Sequence, residues 1–138
     1  MRSLVVEDTR VVQMILEKLL EPYGECQLAK NGAEAIDAFH QAYGEKRPFD
    51  LVCLDMGLPD LDGREVLSKL RAFEEARGVQ TDQKVPVIAI TAASDTATVR
   101  SVVEMGNGYI VKPISREKLV ENLVRLGLIP PTQDATQT

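Results

Sequence analysis

The chain has 138 residues and a formal net charge of −5, and 44% of its residues are hydrophobic while 27% are charged. This length suits about one domain, and the composition is ordinary for a soluble globular protein. The negative charge argues against nucleic acid or an anionic membrane as a direct partner, and no apolar run approaches the roughly 20 residues that cross a bilayer.

The N-terminal stretch and the two cysteines further limit the class of protein. The N-terminal stretch MRSLVVED reaches acidic residues too early to be a secretory signal peptide. Cys26 and Cys53 lie in predicted strands and lack the CxxC spacing of metal or redox motifs. We therefore interpret both cysteines as reduced core residues and expect a cytoplasmic protein.

Short apolar runs alternate with helical patterns from the N-terminus onward. Residues 3–6 predict a first strand and residues 26–29 a second, with a helix over residues 9–23 between them. Asn31 and Glu34 have the spacing of a capping pair at the start of the next helix. The predicted apolar face of the first helix comprises Val11, Val12, Ile15, Leu16, Leu19 and Leu20.

The same alternation continues to the C-terminus. The remaining predicted elements are strand 51–54, helix 64–76, strand 85–90, helix 95–105, strand 109–111 and a helix capped by Ser115. Because the strands are nearly continuous apolar runs, both of their faces should be buried, which favours a parallel sheet with helices on each side. We predict an α/β fold, a doubly wound five-stranded parallel sheet with five helices, over residues 1–129. Residues 130–138 are predicted to be a disordered tail.

Polar residues follow four of the predicted strands. Glu7 and Asp8 follow the first strand, Asp55 the third, Thr91 the fourth and Lys112 the fifth. Ligands of open parallel sheets bind beyond the carboxyl ends of the strands, so we expect these side chains to converge at one edge. Two carboxylates about 4 Å apart repel by about 4 kcal/mol at an effective dielectric near 20. Three such groups therefore require a cation or the lysine to neutralise them.

The chemistry of this set favours magnesium and phosphate. Mg²⁺ prefers oxygen ligands, and it commonly binds through a few carboxylates together with a phosphate group. Phosphoryl transfer needs mainly positioning of the reactants and neutralisation of charge, which the same residue types provide. A carboxylate can also act as the nucleophile and form an aspartyl phosphate.

The chain contains the segments VVED, LVCLDMGLPDLDG, VIAITA and GYIVKP in the order and near the spacing of a two-component response-regulator receiver domain. It resembles this family over residues 2–126, and with no output domain following it resembles a stand-alone receiver of the chemotaxis-regulator type. The resemblance implies a flavodoxin-like strand order of 2-1-3-4-5. It also implies a signalling phosphoacceptor that catalyses only its own phosphorylation and dephosphorylation, not an enzyme that acts on another substrate.

The resemblance assigns roles to the residues of the opening and central motifs. Asp55 corresponds to the phosphoacceptor of the family. Glu7 and Asp8 correspond to the acid pair that binds Mg²⁺, or Mn²⁺, together with Asp55. The backbone carbonyl of Gly57 is the further metal ligand that the resemblance implies.

The C-terminal motifs receive roles in the same way. Thr91 corresponds to the hydroxyl that engages the phosphoryl group, Lys112 to its counter-cation, and Thr91 and Tyr109 to the switch pair. The bond between Lys112 and Pro113 corresponds to one that the family holds in the cis form. Lys112 follows Thr91 by 21 positions, about one fewer than the family spacing implies, so the predicted helix 95–105 or the loop before it should be trimmed.

The resemblance also implies partners. A sensor histidine kinase or a histidine phosphotransfer protein would supply the phosphoryl group. A downstream protein would bind the face made by the predicted fourth helix, fifth strand and fifth helix. We expect no direct partner among nucleic acids or membranes, while the cognate kinase and the choice between monomer and phosphorylation-dependent dimer stay open.

Two other functions and one other site compete with this interpretation. A degenerate receiver would bind a partner without phosphorylation, although all five site residues are present in type. A haloacid-dehalogenase-type phosphatase needs a second Asp two residues after its nucleophile, where this chain has Gly57. A calcium loop aligned on Gly63 would place Leu58 and Lys69 at positions that require oxygen ligands, so it fails.

Overall fold

The structure, a computed structural model, describes residues 1–92 and 108–131 together with Ala97 and Arg100. The strands are β1 (Arg2–Val6), β2 (Glu25–Ala29), β3 (Leu51–Asp55), β4 (Val87–Thr91) and β5 (Gly108–Val111). The α-helices are α1 (Arg10–Leu20), α2 (Gly32–Gly44), α3 (Gly63–Ala76) and α4 (Arg116–Arg125), with 3₁₀ segments at Glu21–Tyr23 and Thr81–Gln83. Apart from Ala97 and Arg100, the predicted helix 95–105 lies outside the described residues, as does the predicted tail from residue 132 onward.

The five strands form one parallel sheet in the order β2-β1-β3-β4-β5. In its register Val5 of β1 pairs with Cys53 of β3, and Asp55 at the end of β3 pairs with Ile90 of β4. The predicted α/β fold and strand order are confirmed. The chain order reverses between β1 and β3, so the crevice for a ligand lies beyond the carboxyl ends of these two strands.

Side chains that alternate along each strand build two cores, one on each face of the sheet. The face covered by α2 and α3 buries, among others, Leu4, Val6, Phe39, Val52, Leu54, Val66, Leu67 and Leu70. The face covered by α1 and α4 buries Val5, Leu16, Leu20, Leu51, Cys53, Ile88, Ile90, Ile110, Leu119 and Leu123. In the described ranges, none of the helices combines the length and the apolarity that a membrane crossing requires.

Polar side chains fix where three helices begin. Asn31 Oδ1 accepts a hydrogen bond from the backbone N–H of Glu34 at 2.8 Å, at the N-terminus of α2. Ser115 Oγ accepts one from the backbone N–H of Lys118 at 3.2 Å, and Asp62 caps α3 in the same way. Each such cap stabilises a helix by about 1 kcal/mol, and the predicted caps at Asn31 and Ser115 are present.

The fourth strand begins later than the sequence predicts, at Val87 instead of residue 85. Pro86 has no backbone N–H and cannot donate to a neighbouring strand. Its carbonyl still accepts a hydrogen bond from the N–H of Val52 at 3.0 Å, so the chain joins the sheet through an acceptor before the regular ladder begins.

The predicted apolar face of α1 was too wide. Val11 is 65% exposed and Ile15 43% exposed, and Met14 between them is 52% exposed. Successive helical residues are rotated by about 100°, so Val11 and Ile15 point about 100° or more away from Leu16, which faces the core. The helix therefore presents three apolar side chains to the outside.

Glu74 is a fully buried carboxylate on α3. Its Oε2 accepts a hydrogen bond from the backbone N–H of Val85 at 2.7 Å, and its Oε1 lies 2.7 Å from the guanidinium of Arg71. The contact with Val85 ties the chain just before β4 to α3. Glu74 therefore fixes the position of the chain where it enters β4, the strand that ends in Thr91.

We expect Glu74→Ala to lower the free energy of unfolding by about 3 kcal/mol, because it leaves a buried N–H without its acceptor and breaks a buried charge pair. Urea unfolding followed by circular dichroism measures this change. Glu75→Ala is the matched control, since the neighbouring carboxylate is 69% exposed and pairs with Lys84 at the surface. Equal midpoints for the two variants would contradict the role of Glu74.

Candidate functional site

Three carboxylates meet beyond the carboxyl ends of β1 and β3. Glu7, Asp8 and Asp55 each place an oxygen within 4.8 Å of the others. Glu7 and Asp55 are buried, with 1% and 4% of their surfaces exposed, while Asp8 is exposed. The two strands are hydrogen-bonded neighbours, so residues that come after them in the chain emerge side by side.

Asp55 is also approached by two donors. Its Oδ1 accepts a hydrogen bond from the backbone N–H of Gly57 at 2.9 Å, and the Lys112 ammonium lies 3.6 Å from the same oxygen. The Lys112 side chain is 42% exposed, so solvent reaches it from the open side of the site. Among the residues that the structure describes, Asp55 thus has Lys112 as its positive neighbour, and the N–H of Gly57 orients its carboxylate.

Thr91 lies at the end of β4, beside the end of β3. It is 3% exposed, and its Oγ1 donates a long hydrogen bond to the carbonyl of Ala92 at 3.3 Å. The carbonyl of Thr91 accepts from the N–H of Lys112 at 2.9 Å, which joins the ends of β4 and β5. Pairing of the parallel strands therefore brings the predicted hydroxyl and the predicted lysine to the same edge.

Glu7 is a buried carboxylate with one hydrogen-bonded oxygen. Its Oε1 accepts from the N–H of Thr9 at 3.0 Å, and its backbone carbonyl accepts from Gln13 Nε2 at 2.6 Å. Its Oε2 is buried and has no hydrogen-bond partner among the described residues. Burial raises the pKa of Glu7 to about 7, and the nearby Asp55 carboxylate adds to this increase. An unpartnered buried oxygen among three acids fits a cation ligand, so the residues present suit Mg²⁺.

The loop after Asp55 is hydrogen-bonded to the start of α2. Asp60 accepts hydrogen bonds from the backbone N–H groups of Gly32 at 2.8 Å and Ala33 at 3.0 Å, at the start of α2. These bonds, the one from Gly32 first, hold the pKa of Asp60 below its ordinary value. A Cβ at Gly63 would lie 2.5 Å from the Cα of Met56, so the two ends of the loop touch. This course of the chain constrains the segment that carries Gly57.

Sequence reasoning did not find the parts played by Asp60 and Gln13. Asp60 stands in a turn motif, where a local hydrogen bond is the usual expectation. Its actual acceptor role joins residues 28 positions apart in the chain. Gln13 is 8% exposed on the inner side of α1, where the apolar periodicity gave no sign of a buried amide. Only the fold brings these partners together.

The two other predicted residues lie on β5 and just after it. Tyr109 is half-buried and packs against the core on the α2 and α3 side of the sheet. The peptide bond between Lys112 and Pro113 is cis. The structure thus places Glu7, Asp8, Asp55, Thr91 and Lys112 at the carboxyl ends of the strands and Tyr109 within β5, while their chemical roles stay predictions.

Residues 3–124 match the family of response regulator receiver domains. The chain belongs to this family. Among its curated relatives, the probable histidine kinase 2 of Oryza sativa subsp. indica is 33% identical in an alignment of 132 positions that covers 88% of this chain and 12% of the relative. The sensor protein GacS of Pseudomonas syringae pv. syringae is 31% identical, over 90% of this chain and 13% of its own length. The chain thus spans a small part of these relatives, and its stand-alone form stays a prediction.

Solved receiver structures have the same fold. The Saccharomyces cerevisiae receiver domain of Ssk1, in a co-crystal with the histidine phosphotransfer protein Ypd1, is 28% identical with a TM-score of 0.77. That match covers 97% of this chain and 93% of the other. The bacteriophytochrome response regulator RtBRR is 25% identical with a TM-score of 0.74, and the match covers 96% of this chain and 81% of the other. The receiver family and its sheet order, predicted from four short motifs, are therefore confirmed.

The raised pKa of Glu7 predicts a pH-dependent stability of the metal-free receiver. A folded-state pKa of about 7 against an ordinary 4.5 means that the folded state holds this proton more tightly than the unfolded state. The resulting stability is full below pH 4.5 and is lost as the pH rises through about 7. The loss is at most about 3 kcal/mol.

Glu7→Gln removes this titration, so in chelator the variant should gain stability relative to wild type between about pH 5 and pH 8. Melting temperatures of both proteins at the two pH values measure the gain. Glu65→Gln, a change at an exposed acid of α3, is the control and should follow wild type. A constant difference between Glu7→Gln and wild type across this pH range would contradict the assigned pKa.

Proposed function

We propose that this receiver accepts a phosphoryl group on Asp55 in a Mg²⁺-dependent reaction and then presents an altered face to a partner protein. The donor is the phosphohistidine of a sensor kinase or of a histidine phosphotransfer protein. The observation that carries the proposal is the meeting of Glu7, Asp8 and Asp55 within 4.8 Å, with the Lys112 ammonium 3.6 Å from Asp55. We also propose that the protein acts in the cytoplasm.

In the proposed reaction a carboxylate oxygen of Asp55 attacks the phosphorus of the donor. A P–O bond forms, the P–N bond to the donor imidazole breaks, and the electron pair of that bond stays on the imidazole nitrogen. The N–H of Gly57 holds the carboxylate in one orientation during the attack. Positioning of this kind is the main contribution of a protein to phosphoryl transfer.

Charge neutralisation is the second requirement. Glu7, Asp8 and Asp55 would hold the Mg²⁺ ion, with the carbonyl of Gly57 as a further ligand. Bound there, the ion would neutralise the oxygens of the phosphoryl group. Lys112 would add its positive charge from the other side, since its ammonium already lies near Asp55 and is partly exposed. Cation and lysine together would offset the repulsion between the incoming phosphate and three acids.

The proposed readout begins at Thr91. Its hydroxyl makes one long hydrogen bond, to Ala92 at 3.3 Å, so a phosphoryl oxygen can compete for it at little cost. Tyr109 on the neighbouring strand would then adjust, and the face formed by the predicted helix 95–105, β5 and α4 would change. A single charge-assisted contact can bias two packings whose free energies differ by a few kcal/mol.

The exposed apolar residues of α1 support a location for the donor interface. Val11, Met14 and Ile15 lie on the helix that begins two residues after Asp8, so a protein that brings a histidine to Asp55 must come close to them. Three exposed apolar side chains on one helix are typical of a protein contact. We therefore propose that α1 contributes to the interface with a histidine phosphotransfer protein, the class of partner in the Ssk1 co-crystal.

Phosphorylation at Asp55 is tested by intact-mass analysis after incubation with acetyl phosphate and Mg²⁺. We expect one added phosphoryl group on wild type, and none on Asp55→Asn or in the presence of a chelator. Mn²⁺ should replace Mg²⁺, since both accept oxygen ligands. An unlabelled wild type would favour the alternative of a degenerate receiver, and full labelling of Asp55→Asn would refute the assignment of the acceptor.

The α1 interface is tested by Met14→Glu. A buried charge at an interface residue should lower the rate of transfer from a phosphorylated histidine phosphotransfer protein about tenfold or more. Labelling by acetyl phosphate should be unchanged, because Met14 is no part of the site. Ser68→Glu, at an exposed position of α3, is the matched control. If Met14→Glu and Ser68→Glu accept the phosphoryl group from the protein donor equally fast, α1 is not the contact.

A further inference from the structure

Lys118, in the first turn of α4, hydrogen-bonds to the backbone before and after Lys112. Its ammonium donates to the carbonyl of Val111 at 3.0 Å and to the carbonyl of Pro113 at 3.1 Å. These are the residues immediately before and after Lys112, whose own ammonium lies 3.6 Å from Asp55. The Lys118 ammonium therefore holds the backbone on either side of Lys112.

The geometry of β5 explains why these carbonyls are available. Within the described strands β5 pairs with β4 alone, and Lys112 directs its N–H to the carbonyl of Thr91. Alternate residues of a strand direct their backbone groups to opposite sides, so the carbonyl of Val111 faces away from β4, while Pro113 lies beyond the end of β5. Backbone acceptors at a sheet edge need partners from elsewhere, and α4 supplies them.

Asn122, one turn further along α4, continues the pattern. Its Nδ2 donates to the carbonyl of Tyr109 at 3.2 Å and to that of Lys118 at 2.8 Å. The fit is close, because a Cβ on Gly108 would lie 2.2 Å from Asn122 Oδ1. Side chains of α4 thus engage the carbonyls of residues 109 and 111 on the outer side of β5 and that of residue 113 beyond its end.

The bonds from Lys118 are the strongest of this set. A hydrogen bond with a charged donor is about twice as strong as one between neutral groups. Lys118 is half-buried, and Ser115 fixes the turn that carries it by accepting its backbone N–H at 3.2 Å. The ammonium is therefore held against the backbone and does not extend freely into solvent, as a helical lysine ordinarily does.

We propose that Lys118 is a positioning residue for the phosphoryl chemistry. By fixing the carbonyls of Val111 and Pro113, it directs Lys112 toward Asp55. This inference rests on the proposed function, since it assigns Lys118 an effect on the phosphorylation of Asp55. Lys118 touches neither the acids nor the phosphoryl group and acts through Lys112 alone.

The first test compares Lys118→Met with wild type. Methionine keeps the apolar stem of the side chain and removes the ammonium. At saturating Mg²⁺ we expect the rate of labelling by acetyl phosphate to fall about tenfold, because a misplacement of about 1 Å can cost about 10²-fold in a positioned reaction and Lys118 acts on Lys112 only through the backbone. The affinity for Mg²⁺, measured by calorimetry, should stay at the wild-type value. Lys69→Met, the same change at an exposed position of α3, should match wild type in both.

The second test is a double-mutant cycle. If Lys118 acts through Lys112, the change Lys118→Met should have no further effect on the labelling rate when Lys112 is already Met. A residue that only stabilises the fold would slow labelling by the same factor in both backgrounds. Should Lys118→Met fail to fold by circular dichroism, Lys118→Gln takes its place with the same expectations, because it keeps a neutral donor and lacks the charge.

The outcomes separate this inference from the proposed function. An unlabelled wild type overturns both. A labelled wild type with an equal rate in the Lys118 variant overturns the positioning role alone. The positioning role is also overturned if Lys118→Met slows labelling by the same factor in the Lys112→Met background. A loss of Mg²⁺ affinity in Lys118→Met overturns it too, because the effect would then not pass through Lys112. A tenfold loss that disappears in the Lys112→Met background supports it.

Discussion

The crowding of negative charge between β1 and β3 is the constraint on which the rest of the site depends. The parallel register that pairs Val5 with Cys53 sets Glu7 and Asp8 beside Asp55 once the strands end. Two of the three carboxylates are almost fully buried, which is costly without a compensating charge. Within the described part of the chain, Lys112 is the positive group beside Asp55, so three carboxylates face a single ammonium there. The proposed Mg²⁺ ion would neutralise this excess of negative charge.

The surrounding elements keep this charged edge in a fixed geometry. Asp60 attaches the loop after Asp55 to the start of α2, and Glu74 attaches the entry of β4 to α3. On the other side, Lys118 of α4 holds the chain around Lys112. Each tie is made by a polar side chain to backbone groups, so the segments around the site depend little on local turn propensity. The apolar cores on the two faces position the strands, and these polar ties position the loops that connect the strands to the helices.

Much of this arrangement can be predicted from sequence pattern, because strand runs, caps at Asn31 and Ser115, and acids at strand ends are local signals. The observed start of β4 differs from the predicted one because Pro86 has no backbone N–H to donate to the neighbouring strand. The exposure of Val11 and Ile15 was missed because apolar residues at helical spacing do not reveal how wide a stripe the core covers. The bonds of Asp60 and Lys118 could not be predicted, since their partners are fixed only when the strands and helices pack.

The bonds from α4 also affect how this receiver can associate with other chains. An open sheet edge attracts foreign strands, which pair with its free backbone groups and start aggregation or sheet extension. A strand approaching the outer side of β5 would need the carbonyls of Tyr109 and Val111 as acceptors, and both are already engaged by Asn122 and Lys118. Sheet extension at this end is therefore disfavoured. A partner that binds here must recognise the side chains of the helix and not the backbone of the strand.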